Sequence, residues 1–378
     1  MKIIVAPDSF KGSLSAIQVS EQITKGINHV SPGNNIHCFP MADGGEGTVE
    51  TIIRAKNGKK VKVVAHDPLK RKINCEFGLI DEGHTAIIEM ASASGLVLLK
   101  SGERDPMYTT TYGTGELIKS ALDYGCTKII VGLGGSSTTD AGAGMVQALG
   151  GRLLDKNKKQ VKTGGAFLKN INKIDLSQLD KRLEKCEILA ACDVKNPLYG
   201  PDGAAYVYSP QKGANPEEVK ILDNNLKHFS DVILKELNLD VSNIERAGAA
   251  GGLGAGLYAF LSAKIVNGFE LIKDIVNLEQ AIKESDIIIA GEGKIDKTSM
   301  SGKAPYGIAK ICRKYNKPVI ALTGSVDFDY DLLTDSIFDC VVPITDKPMD
   351  EHESIKNVKI LTENAAKRIM QLIKITSN

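Results

Sequence analysis

Short aliphatic and β-branched runs recur at 3–6, 36–39, 61–65, 286–290, 319–323 and 340–344, each passing into Gly, Asp or Ser and then into apolar residues at helical spacing. This alternation predicts βαβ units and a mostly parallel sheet. In the first helix, Ser15 and Gln18 stand at capping-box spacing, while Ala16, Ile23 and Ile27 can share one buried face. The last helix, over about 355–374, repeats Val358, Leu361, Ala365, Ile369 and Leu372 and is expected to dock on the body. Between 68 and 280 the rhythm changes to glycine-dense stretches at 132–151 and 247–256 and a turn-rich segment at 193–216. The expected fold class is α/β with two α/β domains. Residues 1–67 and 281–378 would form a discontinuous Rossmann-like parallel-sheet domain, and 68–280 an inserted α/β domain with glycine-rich loops. The active site is expected in the inter-domain cleft, a common place for a small-molecule site.

Composition narrows the classes. At 378 residues the chain is too long for a peptide hormone, a disulfide miniprotein or one small binding module. Lys and Arg number 47 against 46 Asp and Glu, a net charge of +1. That balance disfavours a nucleic-acid partner, which needs a basic face to displace counterions. Nor is a membrane partner expected, since no window approaches the eighteen or more apolar residues of a span. Seven cysteines, an odd number without a C-x-x-C pair, read as buried free thiols in a reducing compartment, so a cytoplasmic protein is expected. Glycine is abundant at 37 residues. Clustered without matching Pro, it marks backbone that turns tightly or approaches something closely.

The common phosphate motifs fail. Gly302-Lys303 is followed by Ala304 and has Lys297 where a Walker A loop needs its first glycine. Gly254-x-Gly256-x-x-Ala259 follows no strand and reads better as a close-packed helix start than as a dinucleotide site. There is no G-x-S-x-G, no H-E-x-x-H and no zinc spacing. The dense segment is Gly132-Leu-Gly-Gly-Ser-Ser-Thr-Thr-Asp140, set between an apolar strand at 128–131 and a helical stretch at 145–149. Such an arrangement can direct backbone N–H groups and a helix N-terminus at an anion. That reading is favoured over the alternative, a turn in which Asp140 caps the helix.

Three strand ends carry further chemistry: Asp8-Ser9-Phe10-Lys11-Gly12, Met41-Ala-Asp43-Gly-Gly-Glu46, and Gly291-Glu292-Gly-Lys294-Ile-Asp296. The carboxyl ends of strands are where doubly wound sheets bind ligands. Asp193 follows the apolar stretch 188–192, which makes it a candidate half-buried carboxylate or a turn former. Acids, lysines and glycine loops without a nucleophile–base pair favour phosphoryl transfer, which needs positioning, a cation such as Mg²⁺ and one acid to orient the attacking hydroxyl.

At these residues the chain resembles the bacterial glycerate kinases of the type unrelated to P-loop kinases. The segments that carry the resemblance are 6–16, 41–48, 132–140, Cys192-Asp-Val-x-Asn-Pro-Leu-x-Gly-Pro201, Gly251-Gly-Leu-Gly-Ala-Gly256 and 291–296. It runs in order over nearly the whole chain. The resemblance implies ATP-dependent phosphorylation of D-glycerate, usually to 2-phosphoglycerate, in organic-acid catabolism, with ATP and Mg²⁺ bound. On that reading Asp8, Ser9, Lys11 and Asp43 handle the substrate, and Asp193 orients the hydroxyl or accepts its proton, with Asp296 as the alternative and Lys11 as a further catalytic group. Gly134, Gly135, Ser136, Ser137 and Thr138 cradle phosphate, and Asp140, Glu292 or Asp296 lead to the metal. A homodimer is compatible with this reading. The competing classes are an NAD-dependent hydroxyacid dehydrogenase and a non-catalytic sugar-acid sensor.

Overall fold

The structure, a computed structural model, describes residues 1–42, 45, 47–296, 303–327 and 337–376. Its strands among those residues, in chain order, are β1 (Lys2–Pro7), β2 (Asn35–Cys38), β3 (Lys59–His66), β4 (Lys72–Ile80), β5 (Thr85–Glu89), β6 (Lys128–Gly132), β7 (Arg152–Leu154), β8 (Lys173–Asp175), β9 (Glu187–Ala191), β10 (Lys264–Val266), β11 (Ile287–Asp296), β12 (Val319–Asp327) and β13 (Cys340–Pro343). The chain divides into two compact units, Met1–Asp43 with Phe269–Asn378, and Gly44–Gly268.

The first unit carries a parallel sheet in the order β13-β12-β11-β1-β2. Ile3, Ile4 and Val5 of β1 and Ile288 and Ile289 of β11 are fully buried, as expected of strands covered on both faces. The helix Ala16–Val30 begins in the capping box that the sequence predicts: Ser15 Oγ accepts from Gln18 N–H at 3.3 Å and Gln18 Oε1 from Ser15 N–H at 3.0 Å. It packs Val19, Ile23 and Ile27 against Leu361, Ala365 and Ile369 of the C-terminal helix Val358–Thr376. Leu372, expected on that buried face, is exposed. The strand at 286–290 is longer than its apolar run, because Glu292 to Asp296 continue pairing with Thr323 to Asp327 of β12.

The second unit has a mixed sheet in the order β10-β9-β6-β5-β4-β3. Strands β5, β6, β9 and β10 are parallel, whereas β3 and β4 are antiparallel. The run 61–65, read from the sequence as part of the first domain, is β3 and pairs with β4 here. The second glycine-dense stretch opens the helix Ala249–Leu261 with three left-handed residues, Ala250, Gly251 and Gly252. A Cβ on Gly251 would lie 1.9 Å from the Thr138 carbonyl oxygen, so the two glycine stretches exist partly to let each other's backbone approach. All seven cysteines are free, as expected, but Cys38 and Cys340 are exposed. Both sit on the edge strands β2 and β13, where neither face is fully covered. No helix among the described residues is long and apolar enough to cross a membrane.

Candidate active site

The first sheet reverses direction at β1. Strand β2 follows on one side and β11 to β13 lie on the other, and such a switch point is where open α/β sheets bind ligands beyond their carboxyl ends. Beyond β1 the chain makes a tight turn: Phe10 N–H donates to the Leu14 carbonyl at 2.9 Å and Leu14 N–H to the Phe10 carbonyl at 3.0 Å. With Phe10 and Leu14 buried, the turn holds Lys11 exposed at its tip. Asp8 N–H is tied to the Gly291 carbonyl of β11 at 2.8 Å, and Asp8 Oδ1 accepts from Ser9 N–H at 2.5 Å.

A cavity of about 770 Å³ opens here, lined by Asp8, Ser9, Lys11, Glu292, Asp296 and Lys303, with Ser325 and Thr345 beyond them. Its volume suits a small-molecule site. The strand period of two places Glu292 and Asp296 on one side of β11, and both face the same ammonium. Lys303 Nζ lies 3.5 Å from Glu292 Oε2 and 4.0 Å from Asp296 Oδ1. Lys303 is the N-cap of the helix Ala304–Lys314, where a cation opposes the helix dipole; the two acids offset that cost. Hard carboxylate oxygens sharing one cation are a donor set that fits Mg²⁺, which takes one or two carboxylates and completes its shell with phosphate and water. Asp43, expected to handle substrate, lies outside the described residues.

In the second unit, the chain leaving β6 forms the loop Gly134 to Asp140, and the chain leaving the adjacent β9 carries Asp193. Asp193 is half-buried, and its Oδ1 accepts from Gly268 N–H at 2.8 Å. The hydroxyls of the loop are not equivalent. Ser137 Oγ donates to the Ser94 carbonyl at 3.0 Å, and Thr139 Oγ1 lies 3.0 Å from Ser209 Oγ. Thr138 Oγ1 is buried and has no hydrogen-bond partner among the described residues. Ser136 Oγ accepts from Lys212 Nζ at 2.8 Å.

Asp140 is fully buried and its Oδ2 accepts from Thr111 N–H at 2.9 Å, Thr111 Oγ1 at 3.0 Å, Thr110 Oγ1 at 3.2 Å and Gly144 N–H at 3.2 Å. Burial pushes its carboxyl up, against the pull of the Thr111, Gly144 and Gly142 donors. These contacts describe a lock on the loop rather than the metal ligand expected from the sequence. The helix that follows, Ala143–Ala148, is short, and its first N–H groups are already engaged: Gly144 by Asp140, Met145 by Thr111 Oγ1 at 3.0 Å. The N-terminus of this helix is therefore not free to meet an anion.

Two lysines, Lys303 and Lys212, lie in candidate segments of the sequence without being given a role there. Lys303 left a trace, because a lysine preceding Ala304-Pro305 is a poor helix cap unless acids await it. Lys212 follows in the turn-rich continuation of the Asp193 segment, where Pro210-Gln-Lys-Gly gives no sign of burial, yet Lys212 is 1% exposed. Cys192, beside Asp193, is no nucleophile, since burial pushes its thiol up to about 12.

An open parallel sheet with paired acids and a lysine at its switch point has the form of a small-molecule site in an α/β protein. The model of the glycerate kinase family matches residues 3–374, and the chain belongs to that family. It is 48% identical over 344 residues to the glycerate 2-kinase of Escherichia coli (strain K12), covering 91% of this chain and 90% of that one. It is 45% identical to a glycerate kinase of Halalkalibacterium halodurans, covering 97% of each. The crystal structure of a putative glycerate kinase 2 from Salmonella typhimurium LT2 superposes with a TM-score of 0.88 at 43% identity, covering 100% of this chain and 99% of that one. The protein is thus a kinase-family enzyme, and the dehydrogenase and sensor readings find no support among these relatives.

Proposed function

We propose that this enzyme transfers the terminal phosphoryl group of ATP to the C2 hydroxyl of D-glycerate, forming 2-phosphoglycerate and ADP. The observation that carries the reading is the Glu292–Lys303–Asp296 constellation beside the Asp8 to Lys11 turn, in a chain of this family. The similarity to a glycerate 2-kinase supports C2 as the position of attack.

Glycerate carries one carboxylate and two hydroxyls. Lys11, exposed at the rim of the cavity, supplies a cation for the carboxylate, and Asp8 and Ser9 supply partners for the hydroxyls. Glu292 and Asp296 would hold Mg²⁺, which when bound neutralises phosphate charge. Lys303, already poised between those acids, donates to phosphoryl oxygens on which charge accumulates. Asp193, its orientation fixed by the Gly268 N–H, orients the attacking hydroxyl and receives its proton, with Asp296 as the alternative. The loop Gly134 to Thr138 receives phosphate of the donor. A coupled assay for ADP release with ATP, Mg²⁺ and either enantiomer of glycerate tests the reading. Turnover is expected with the D enantiomer; the absence of turnover with both would overturn it.

A further inference from the structure

The loop leaving β6 holds a charge that its own sequence lacks. Lys212 Nζ donates to Ser136 Oγ at 2.8 Å and to the Thr138 carbonyl at 2.6 Å. Its backbone N–H is fixed to the Ser209 carbonyl at 3.0 Å, and the next residue, Gly213, packs on the backbone of Arg104. Among the described residues no carboxylate lies within ion-pair distance of this amine; Asp140 is the acid whose field reaches it. Enclosing an amine without a paired acid is costly, and an apolar side chain would fill the same space more cheaply. The position therefore points to a role other than stability.

The hydrogen bonding shows what that role is. A serine hydroxyl has one proton and two lone pairs. With a lone pair of Ser136 taken by Nζ–H, its own O–H points away from the lysine, and among the described residues no acceptor takes it. Ser136 is half-buried, so that proton can meet a ligand. Thr138 Oγ1, two residues on, is a second uncommitted hydroxyl. The loop thus offers two hydroxyls two residues apart, Ser136 and Thr138, beside the amine that Lys212 brings to it from elsewhere in the chain.

We propose that Lys212 is the buried positioning residue of a phosphate-binding loop, turning the Ser136 O–H outward and supplying the positive charge that a phosphate group of the nucleotide meets. This rests on the reading of Gly134 to Thr138 as the phosphate loop. Burial pulls the amine down to about 7, so above neutral pH it is largely uncharged, and an arriving phosphate draws one proton from solvent onto it.

The test is calorimetric binding of ADP with Mg²⁺ at about pH 8, in two buffers of different ionisation enthalpy, to the wild type, Lys212→Met and Ser136→Ala. The nucleotide phosphates are fully ionised there, so proton uptake belongs to the protein. The wild type should take up a proton on binding and Lys212→Met should not. Both variants should bind ADP about tenfold or more weakly, with glycerate affinity unchanged. Weakened ADP binding by Ser136→Ala beside wild-type affinity in Lys212→Met would overturn the role of Lys212 and leave the loop reading standing. Unchanged ADP affinity in both variants would overturn the loop reading and this proposal with it. Should Lys212→Met fail to fold, Ser136→Ala decides beside the wild type: ADP affinity unchanged in Ser136→Ala contradicts the proposal, and affinity about tenfold or more weaker, with proton uptake by the wild type, supports it.

Discussion

Replacing Gly251 with alanine tests whether the glycine stretches are there for backbone approach. Gly251 has φ +69°, and a Cβ there would lie 1.9 Å from the Thr138 carbonyl oxygen and 2.7 Å from its carbon. Gly125, in the same unit, provides the matched control, with φ +85° and nothing within 4 Å of its Cβ position. Alanine in the left-handed region costs about 1 kcal/mol, and that is all Gly125→Ala should lose. At Gly251 the neighbour is backbone, itself held by the Asp140 lock and by Lys212, and overpacking adds roughly 1–3 kcal/mol. At about 2–4 °C per kcal/mol for a unit of this size, calorimetry should show the Gly44–Gly268 unit melting roughly 5–15 °C lower in Gly251→Ala. Because the displaced residue is Thr138, ADP binding should weaken as well. A Gly251→Ala protein that melts within about 1 °C of Gly125→Ala would refute the close approach.

Three further outcomes follow from the site. Asp193→Asn should lower kcat on the order of 100-fold or more with little change in KM for glycerate; retention of most of kcat in steady-state assays would move the proton-accepting role to Asp296. Glu292→Gln removes one of two carboxylates facing Lys303, so the Mg²⁺ concentration for half-maximal rate should rise about tenfold or more, and an unchanged Mg²⁺ titration would exclude Glu292 as a ligand. The third concerns pH. Since burial lowers the Lys212 pKa from 10.5 to about 7, the unfolded chain binds more protons than the folded one between those values, and stability rises with pH there. Urea unfolding from about pH 7 to 9 should show wild type gaining on Lys212→Met by up to about 1.4 kcal/mol per pH unit; parallel stability curves would show that the amine does not titrate.

Local chemistry was the legible part of this sequence. The Ser15 and Gln18 capping box depends on residues three apart, and the apolar runs of β1, β11, β12 and β13 stand out from their surroundings. What escaped was decided by distant partners. Glu292 to Asp296 have no strand propensity as a group and extend β11 only because β12 pairs with them. The run at 61–65 announces a strand but not its antiparallel neighbour. The loop at 132–140 was visible from its density of hydroxyls, yet which hydroxyls are spent depends on Ser94, Ser209 and Lys212, far from it in sequence. Lys212 is the extreme case, since nothing in a Pro-Gln-Lys-Gly turn tells that tertiary packing will enclose its amine.

Phosphorylation at C2 of glycerate leaves a distinct mark in the phosphorus NMR spectrum of the product formed from ATP, Mg²⁺ and D-glycerate, because the phosphorus couples to a single carbon-bound proton when the ester is at C2 and to a methylene pair when it is at C3. A doublet from 2-phosphoglycerate is expected as ATP is consumed. A triplet from 3-phosphoglycerate would contradict the position of attack, and ATP consumption that leaves only inorganic phosphate would contradict glycerate as the acceptor.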